Sequence, residues 1–181
     1  MPDERFVFVD RDGTLVEDPG FVHRIEDYAP LAGAADGLRL LVEAGYRIAI
    51  VTNQSGIGRG IFSAAQYEAF DAHLRRDFEA RGAPIAASFH CPHTAEDGCG
   101  CRKPAPGLLE RAVRELGANL QQSFVIGDKP GDMELAARTG CQGVYVLTGQ
   151  GRAQRHKLEL QVPVEADLRA AAQRILRSRS G

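Results

Sequence analysis

Residues 6–14 read FVFVDRDGT, a short apolar run that ends at two carboxylates separated by one residue. The run is β-branched and aromatic, which is typical of a strand buried on both faces of a parallel sheet. Similar runs recur at residues 48–51, 124–126 and 144–147. Apolar residues at helical spacing lie between the runs and again over residues 166–177. This alternation predicts an α/β fold with a doubly wound, mainly parallel sheet.

The length and composition of the chain are those of one folded domain. It has 181 residues, of which 44% are hydrophobic and 25% are charged, a composition typical of a globular core. The formal net charge of −2 gives no general attraction to nucleic acid. No apolar run approaches the roughly 20 residues of a membrane span, and the acidic start Met1–Arg5 does not resemble a secretory signal. We expect one domain over residues 1–181, acting as a cytoplasmic monomer with no nucleic-acid or membrane partner.

Polar residues follow the predicted strands at their carboxyl ends, where ligands bind in an open parallel sheet. Asp10 and Asp12 follow the first run, Thr52 follows the second and Asp128 follows the third, while Lys103 precedes a proline at the start of a helix. Several carboxylates around one point repel one another unless a hard cation binds them, and oxygen ligands of this kind suit Mg²⁺. The sequence therefore predicts a Mg²⁺ site at this edge of the sheet.

The same residues are suited to phosphoryl transfer. A carboxylate can attack phosphorus to form an acyl-phosphate, and a second acid can protonate the leaving oxygen and later deprotonate water. Asp10 and Asp12 fit these two roles, although strand periodicity alone does not decide which residue takes which. The Lys103 ammonium and the Thr52 hydroxyl are expected to neutralise and hydrogen-bond the oxygens of the transferring phosphoryl group.

These motifs resemble those of a known family. Asp-x-Asp-Gly-Thr at residues 10–14, a Thr at the end of the second strand, a Lys before a proline and Gly-Asp-x-x-x-Asp at residues 127–132 are similar to the four motifs of haloacid-dehalogenase-like phosphatases. Their order and strand contexts match across most of the chain. The resemblance implies that Asp10 is phosphorylated and that Asp12 is the acid and base. It also implies that Mg²⁺ is held by the Asp10 carboxylate, the Asp12 carbonyl and Asp128.

A cysteine-rich segment lies at residues 91–101. Three cysteines and one histidine in it follow a C-x-H-x5-C-x-C pattern, namely Cys91, His93, Cys99 and Cys101. Three thiolates and one imidazole are what a closed structural Zn²⁺ site needs. His90 is a competing ligand, but His93 has the two-residue offset that the paired cysteines also show. We expect a zinc-binding loop with His93 as its imidazole ligand, and its folding would also position the adjacent Arg102 and Lys103.

Two subgroups of the family share a loop of this kind, the heptose-bisphosphate 7-phosphatases and the histidinol-phosphate phosphatases. Segments 18–23, 52–60 and 127–129 look more like the heptose enzymes. By that resemblance, the substrate is contacted by Asp18, Pro19, Gly20, Phe21, Asn53, Gln54, Ser55, Arg102 and Lys129. The Arg102 guanidinium offers a fixed fork for the second, unreactive phosphate of a bisphosphate, and Arg59 is expected to assist it.

The resemblance implies Mg²⁺-dependent removal of the 7-phosphate from D-glycero-D-manno-heptose 1,7-bisphosphate, through an aspartyl-phosphate, to give the 1-phosphate. The product would serve the synthesis of nucleotide-activated heptose for the lipopolysaccharide core. Histidinol phosphate is the alternative substrate. A non-catalytic sugar-phosphate-binding zinc module would lack an acid or the lysine of the motifs, and all of them are present. A mutase would need a cap that excludes water from the acyl-phosphate, but no insertion is long enough for a large cap domain.

Overall fold

The computed structural model describes residues 4–178 as a six-stranded sheet covered by helices on both faces. Residues 1–3, which begin the N-terminal segment weighed above, and residues 179–181 lie outside the described part. The strands are β1 (Phe6–Val9), β2 (Arg47–Asn53), β3 (Ala87–Cys91), β4 (Phe124–Gly127), β5 (Gln142–Val146) and β6 (Val164–Glu165). The helices are α1 (Ala34–Glu43), α2 (Ser55–Gly58), α3 (Ala64–Ala80), α4 (Gly107–Leu116), α5 (Pro130–Thr139), α6 (Gly151–Gln154) and α7 (Leu168–Ser178).

The strands pair in the order β3-β2-β1-β4-β5-β6, and every pairing is parallel. β1 lies in the middle, where Phe8 is opposite Ala49 of β2 and Val125 of β4. The chain winds outward from β1 on one side and then crosses to β4 on the other. This reversal leaves a crevice at the carboxyl ends of β1 and β4, which is where open α/β sheets bind ligands. The doubly wound parallel sheet predicted from the sequence is confirmed.

The side chains of β1 alternate between two buried layers, because successive residues of a strand point to opposite faces. Val7 and Val9 pack in the layer that contains α1, α3 and α7. Phe6 and Phe8 pack in the layer that contains α4 and α5. All four side chains are fully buried, and burial of each contributes about 1.5–3 kcal/mol. The central strand is therefore anchored from both sides.

Local sequence signals set several helix boundaries. Ser63 caps α3 in a reciprocal pair, in which its hydroxyl accepts from the Gln66 N–H and the Gln66 side chain accepts from the Ser63 N–H. α4 and α5 end at Gly117 and Gly140, whose φ angles are 66° and 78°. Glycine is favoured at such left-handed positions because it has no Cβ.

The long connection from β1 to α1, residues 10–33, contains only one 3-10 turn, at Ile25–Asp27. A bridge between Val16 and Pro30 folds this connection on itself, and the Tyr28 hydroxyl ties it to α3 by donating to Asp77 Oδ2 at 2.6 Å. Within residues 4–178 no segment forms a large separate cap, in agreement with the sequence prediction. Among these residues, no helix is both long enough and apolar enough to cross a membrane.

The structure differs from the sequence prediction at the edges of the sheet. β3 and β6 were not among the predicted strands, because both are only partly buried and lack a continuous apolar run. β5 covers Gln142–Val146 rather than residues 144–147, since its first two residues are partly exposed and carry no apolar signal. α7 begins at Leu168 rather than at residue 166.

Candidate active site

The carboxyl ends of the central strands line a cavity of about 320 Å³. It is lined by most of the residues that the sequence singled out, namely Asp10, Asp12, Asp18, Gly20, Phe21, Thr52, Asn53, Gln54, Ser55, Arg102, Lys103 and Lys129. Gln150, which the sequence analysis missed, completes the lining. Asp128 is fully buried and touches the cavity-lining Lys129. Pro19 and Arg59 are exposed and do not line the cavity.

Asp10 is nearly buried at the end of β1 and faces two lysines. The Lys103 ammonium donates to its Oδ1 at 2.9 Å, and the Lys129 ammonium lies 3.3 Å from its Oδ2. Burial alone would raise the pKa of Asp10, but the charges of the two lysines outweigh burial and hold the pKa well below its usual range. Asp10 is therefore an ionised carboxylate, which is the form required of a nucleophile.

Lys103 is held by three oxygen atoms. Its ammonium also donates to Asp132 Oδ1 at 2.6 Å and to the Val51 carbonyl at 2.8 Å. Burial would lower its pKa, but Asp10 and Asp132 raise it above the usual value, so the charge is retained. The Asn53 side-chain amide fixes the backbone of Lys103. Its Oδ1 accepts from the Lys103 N–H at 2.9 Å, and its Nδ2 donates to the Lys103 carbonyl at 3.2 Å. Asp132 and Asn53 thus position a lysine that comes from a distant loop.

Asp12 is held in a clamp that the sequence analysis did not identify. The fully buried Arg11 donates to both of its oxygens, at 2.7 Å and 3.1 Å. Gln54 Nε2 donates to Asp12 Oδ2 and to Thr52 Oγ1, each at 2.9 Å, while Gln54 Oε1 accepts from Arg11 at 3.2 Å. Arg11 also donates to the Val22 carbonyl at 2.7 Å. Burial raises the pKa of Asp12 although Arg11 opposes the shift, so Asp12 holds a proton more readily than an exposed aspartate.

Asp128 follows β4 and lies beneath two glycines. A Cβ on Gly13, whose φ is +87°, would lie 2.2 Å from Asp128 Oδ2, and a Cβ on Gly149 would lie 2.4 Å from the same atom. The Gln150 N–H donates to this oxygen at 2.8 Å. Burial and the nearby Asp10 raise the pKa of Asp128 to about 7. The Gly in the Asp-x-Asp-Gly-Thr motif is therefore required by the close approach of this carboxylate.

Lys129 joins the oxygens of the three predicted Mg²⁺ ligands. Its ammonium donates to Asp128 Oδ1 at 2.9 Å and to the Asp12 carbonyl at 3.0 Å, in addition to its contact with Asp10 Oδ2. Burial would lower its pKa, but the surrounding carboxylates raise it well above the usual value. Asp18 Oδ2 lies 3.9 Å from the same nitrogen on the cavity side and accepts from the Gln150 side chain at 3.2 Å.

The four predicted zinc ligands also lie together. Their donor atoms are all within 4.8 Å of one another, and the residues are Cys91, His93, Cys99 and Cys101. His93 Nδ1 is 3.3 Å from Cys101 Sγ, whereas the His90 ring lies against Tyr67, with 4.0 Å between the ring centroids. Burial raises the pKa of Cys91 to about 12. The backbone carbonyl of His93 accepts from Arg102 at 3.3 Å, which ties the cavity to this cluster.

Comparison with known proteins gives matches along nearly the whole chain. A family model described as HAD-hydrolase-like matches residues 100–171. D-glycero-beta-D-manno-heptose-1,7-bisphosphate 7-phosphatase of Pseudomonas putida is 35% identical over 177 residues, which cover 95% of this chain and 99% of that protein. A Photorhabdus laumondii protein named as the corresponding alpha-anomer phosphatase is 35% identical, covering 79% of this chain and 82% of its own.

A solved structure supports the same relationship. The crystal structure of D,D-heptose 1.7-bisphosphate phosphatase from B. bronchiseptica, complexed with magnesium and phosphate, has a TM-score of 0.90 and 33% identity to this chain. The match covers 96% of this chain and 99% of that one. Sequence relatives and structure agree, and the chain belongs to the haloacid-dehalogenase-like hydrolases, in the group of D-glycero-D-manno-heptose-1,7-bisphosphate 7-phosphatases.

Proposed function

We propose that this protein is a Mg²⁺-dependent phosphatase that removes the 7-phosphate of D-glycero-D-manno-heptose 1,7-bisphosphate and leaves the 1-phosphate. The observation that carries the proposal is the position of the Asp10 carboxylate at the cavity, with two ammonium groups within 3.3 Å of its oxygens. A nucleophile surrounded by cations is what attack on a phosphate dianion requires. The relatives named for this reaction supply the substrate class.

The oxygen set around Lys129 supports the proposal of Mg²⁺ as the cofactor. Carboxylate oxygens of Asp10 and Asp128 and the carbonyl of Asp12 meet there, and hard oxygen donors of this kind are the preferred ligands of Mg²⁺. These three residues would hold the ion. When bound, it would neutralise charge on the transferring phosphoryl group.

The residues of the chain account for both steps of hydrolysis. An Asp10 oxygen attacks phosphorus, the bond to the sugar oxygen breaks, and Asp12 gives its proton to that oxygen. Asp12 then takes a proton from water, which attacks the phosphorus of the aspartyl-phosphate and releases phosphate. Lys103 and the Thr52 hydroxyl hold the phosphoryl oxygens. The raised pKa of Asp12 suits the first of its two tasks.

The cysteine cluster supports the proposal of a structural zinc ion. Three sulfur atoms and one imidazole nitrogen converge, which is the donor set and number of a closed zinc site. A bound cation favours the thiolate form of cysteine, which is the form that binds zinc. We propose that the loop at residues 91–101 binds zinc within one domain formed by residues 1–181. Its role is to place Arg102 at the cavity.

The cavity supports contacts to the rest of the sugar. Asp18, Phe21, Gln150 and Arg102 line it, and Arg102 donates to the carbonyl of His93 in the proposed zinc loop. We propose that Arg102 binds the phosphate that does not react, with its planar fork. We also propose that the enzyme acts in the cytoplasm and that it is a monomer. Analytical ultracentrifugation with and without substrate tests the monomeric state.

A panel of substrates tests the function. Phosphate release is measured on both anomers of the heptose bisphosphate, histidinol phosphate and fructose 1,6-bisphosphate, with ³¹P NMR identifying which phosphate is lost. Asp10→Asn serves as the control for contaminating phosphatases. We expect the highest kcat/KM on a heptose bisphosphate, with the 1-phosphate as product. A higher kcat/KM on histidinol phosphate, or loss of the 1-phosphate first, would contradict the proposal.

A further inference from the structure

The position of Lys129 sets it apart from the other cavity lysine. Its ammonium contacts Asp128 Oδ1, the Asp12 carbonyl and Asp10 Oδ2 at 2.9 Å, 3.0 Å and 3.3 Å. Those three groups are the proposed ligands of the divalent ion. Lys103 shares only Asp10 with this set and is tied elsewhere by Asp132 and the Val51 carbonyl.

An ammonium and Mg²⁺ compete for one set of oxygens. Mg²⁺ lies about 2.1 Å from its oxygen ligands. An ion bound to the oxygens that Lys129 contacts at 2.9–3.3 Å would therefore lie at most about 5 Å from its nitrogen, and commonly much closer. Like charges at such a distance in a partly buried site repel strongly. An oxygen lone pair that coordinates the ion also cannot accept a hydrogen bond from the ammonium.

We infer that Lys129 is an exchangeable counter-cation, displaced from the three oxygens by metal and delivered to the substrate phosphate. The inference rests on the proposed Mg²⁺ dependence. Lys129 has room to move, since its side chain is 33% exposed and lines the cavity, whereas that of Lys103 is 5% exposed. Asp18 Oδ2, 3.9 Å away on the cavity side, offers the displaced ammonium a new partner. Metal binding and phosphate binding are then coupled through one side chain.

Lys129→Met tests the competition without any substrate. The dissociation constant of Mg²⁺ is measured by titration calorimetry on the zinc-loaded protein. Loss of the competing charge is expected to tighten Mg²⁺ binding by roughly tenfold or more. The matched control is Lys157→Met, which removes a charge from a nearby exposed position that does not contact the oxygens, and we expect less than about a twofold change. Equal or weaker Mg²⁺ binding by Lys129→Met would overturn the inference.

Two measurements test the delivery to phosphate. In a crystal structure of the unmutated protein with Mg²⁺ and inorganic phosphate, Lys129 Nζ should leave Asp128 Oδ1 and approach the phosphate. An ammonium still bonded to all three oxygens would refute displacement. With saturating Mg²⁺, Lys129→Met should bind inorganic phosphate roughly tenfold more weakly, because one charged contact is lost, and unchanged affinity would refute delivery. Failure to hydrolyse heptose bisphosphate would contradict the proposed function and leave these metal-binding results standing.

Discussion

Replacing Asp128 with asparagine should stabilise the protein when Mg²⁺ is removed. Burial and the charge of Asp10 raise the pKa of Asp128 from its ordinary value of 3.8 to about 7. Between these values the folded protein keeps a proton that the unfolded chain has already lost. The free energy of unfolding of the Mg²⁺-free protein therefore falls as pH rises from about 4 to about 7. The neutral asparagine side chain resembles the protonated acid, so the variant does not lose this part of its free energy of unfolding as pH rises.

The expected gain follows from the pKa difference. A shift of about three pH units at about 1.4 kcal/mol per unit sets an upper limit of about 4 kcal/mol, reached above pH 7. In Asp128→Asn the new side-chain carbonyl can still accept from the Gln150 N–H, so the bond of 2.8 Å is not sacrificed. The structure around an ionised Asp128 can relax and admit water, which lowers the cost of burying the charge. We therefore expect a gain below the upper limit, about 2–3 kcal/mol at pH 8. Below about pH 4 the gain should vanish, since the acid is then protonated in both states.

The assay is urea unfolding followed by circular dichroism, on protein dialysed against Mg²⁺-free buffer, from pH 4 to pH 8. Strong chelators are avoided so that the proposed zinc site keeps its ion. Asp36→Asn is the control, because this carboxylate is exposed on α1 far from the cavity, and its replacement should change stability by less than about 0.5 kcal/mol. Saturating Mg²⁺ should stabilise the unmutated protein and have little effect on Asp128→Asn.

Two results would refute this reasoning. If Asp128→Asn is less stable than the unmutated protein at pH 8 without Mg²⁺, burial and Asp10 do not make the ionised Asp128 carboxylate unfavourable in the folded protein. If the gain is the same at pH 4 and pH 8, it arises from packing and not from ionisation. In either case phosphatase activity should still be lost in the variant, because a proposed metal ligand has been removed.

Four further results are expected. Asp10→Asn should lower phosphate release by at least about 10³-fold with the fold intact, since the nucleophile is gone. Gly13→Ala should weaken Mg²⁺ binding at least tenfold because its Cβ would strike Asp128, whereas Gly60→Ala, with positive φ but open space, should not. Removing zinc and restoring Mg²⁺ alone should lower kcat/KM for the bisphosphate by about tenfold or more, and zinc should restore it. Arg11→Lys should lower kcat by about 10–100-fold and alter its pH profile, because lysine cannot hold both Asp12 oxygens.

The fold was predictable where burial is continuous along the strand. β1 and β4 are buried at every residue, so their apolar runs identify them directly. β3 sits at an edge of the sheet, with only Phe89 and Cys91 buried, and its mixed residues give no clear strand pattern. β6 at the other edge has two residues, too few for any periodicity. Edge strands of this kind are not predicted from sequence, because pairing with the neighbouring strand places them in the sheet and their own residues carry little signal.

The site was predictable to the extent that strand ends define it. Asp10, Thr52 and Asp128 are brought together by the parallel register of β1, β2 and β4. Arg11 was missed because its orientation toward Asp12 is fixed by acceptors that are distant in sequence, Val22 and Gln54, the latter 43 residues away. Asn53 and Gln54 line the cavity as predicted, yet their side-chain amides bond Lys103 and Asp12. A resemblance that assigns substrate contacts does not show such internal bonds.

The charges at the cavity floor explain why each binding step prepares the next. Three carboxylates, Asp10, Asp128 and Asp132, lie within reach of two ammonium groups, which leaves one net negative charge above about pH 7, where Asp128 is ionised. Asp12 adds none when it is ionised, because its charge is then matched by Arg11. A divalent cation bound there converts the floor to one net positive charge, which attracts a phosphate dianion that the metal-free floor would repel. Ordered binding, with the metal before the phosphate, follows from the charges of these residues.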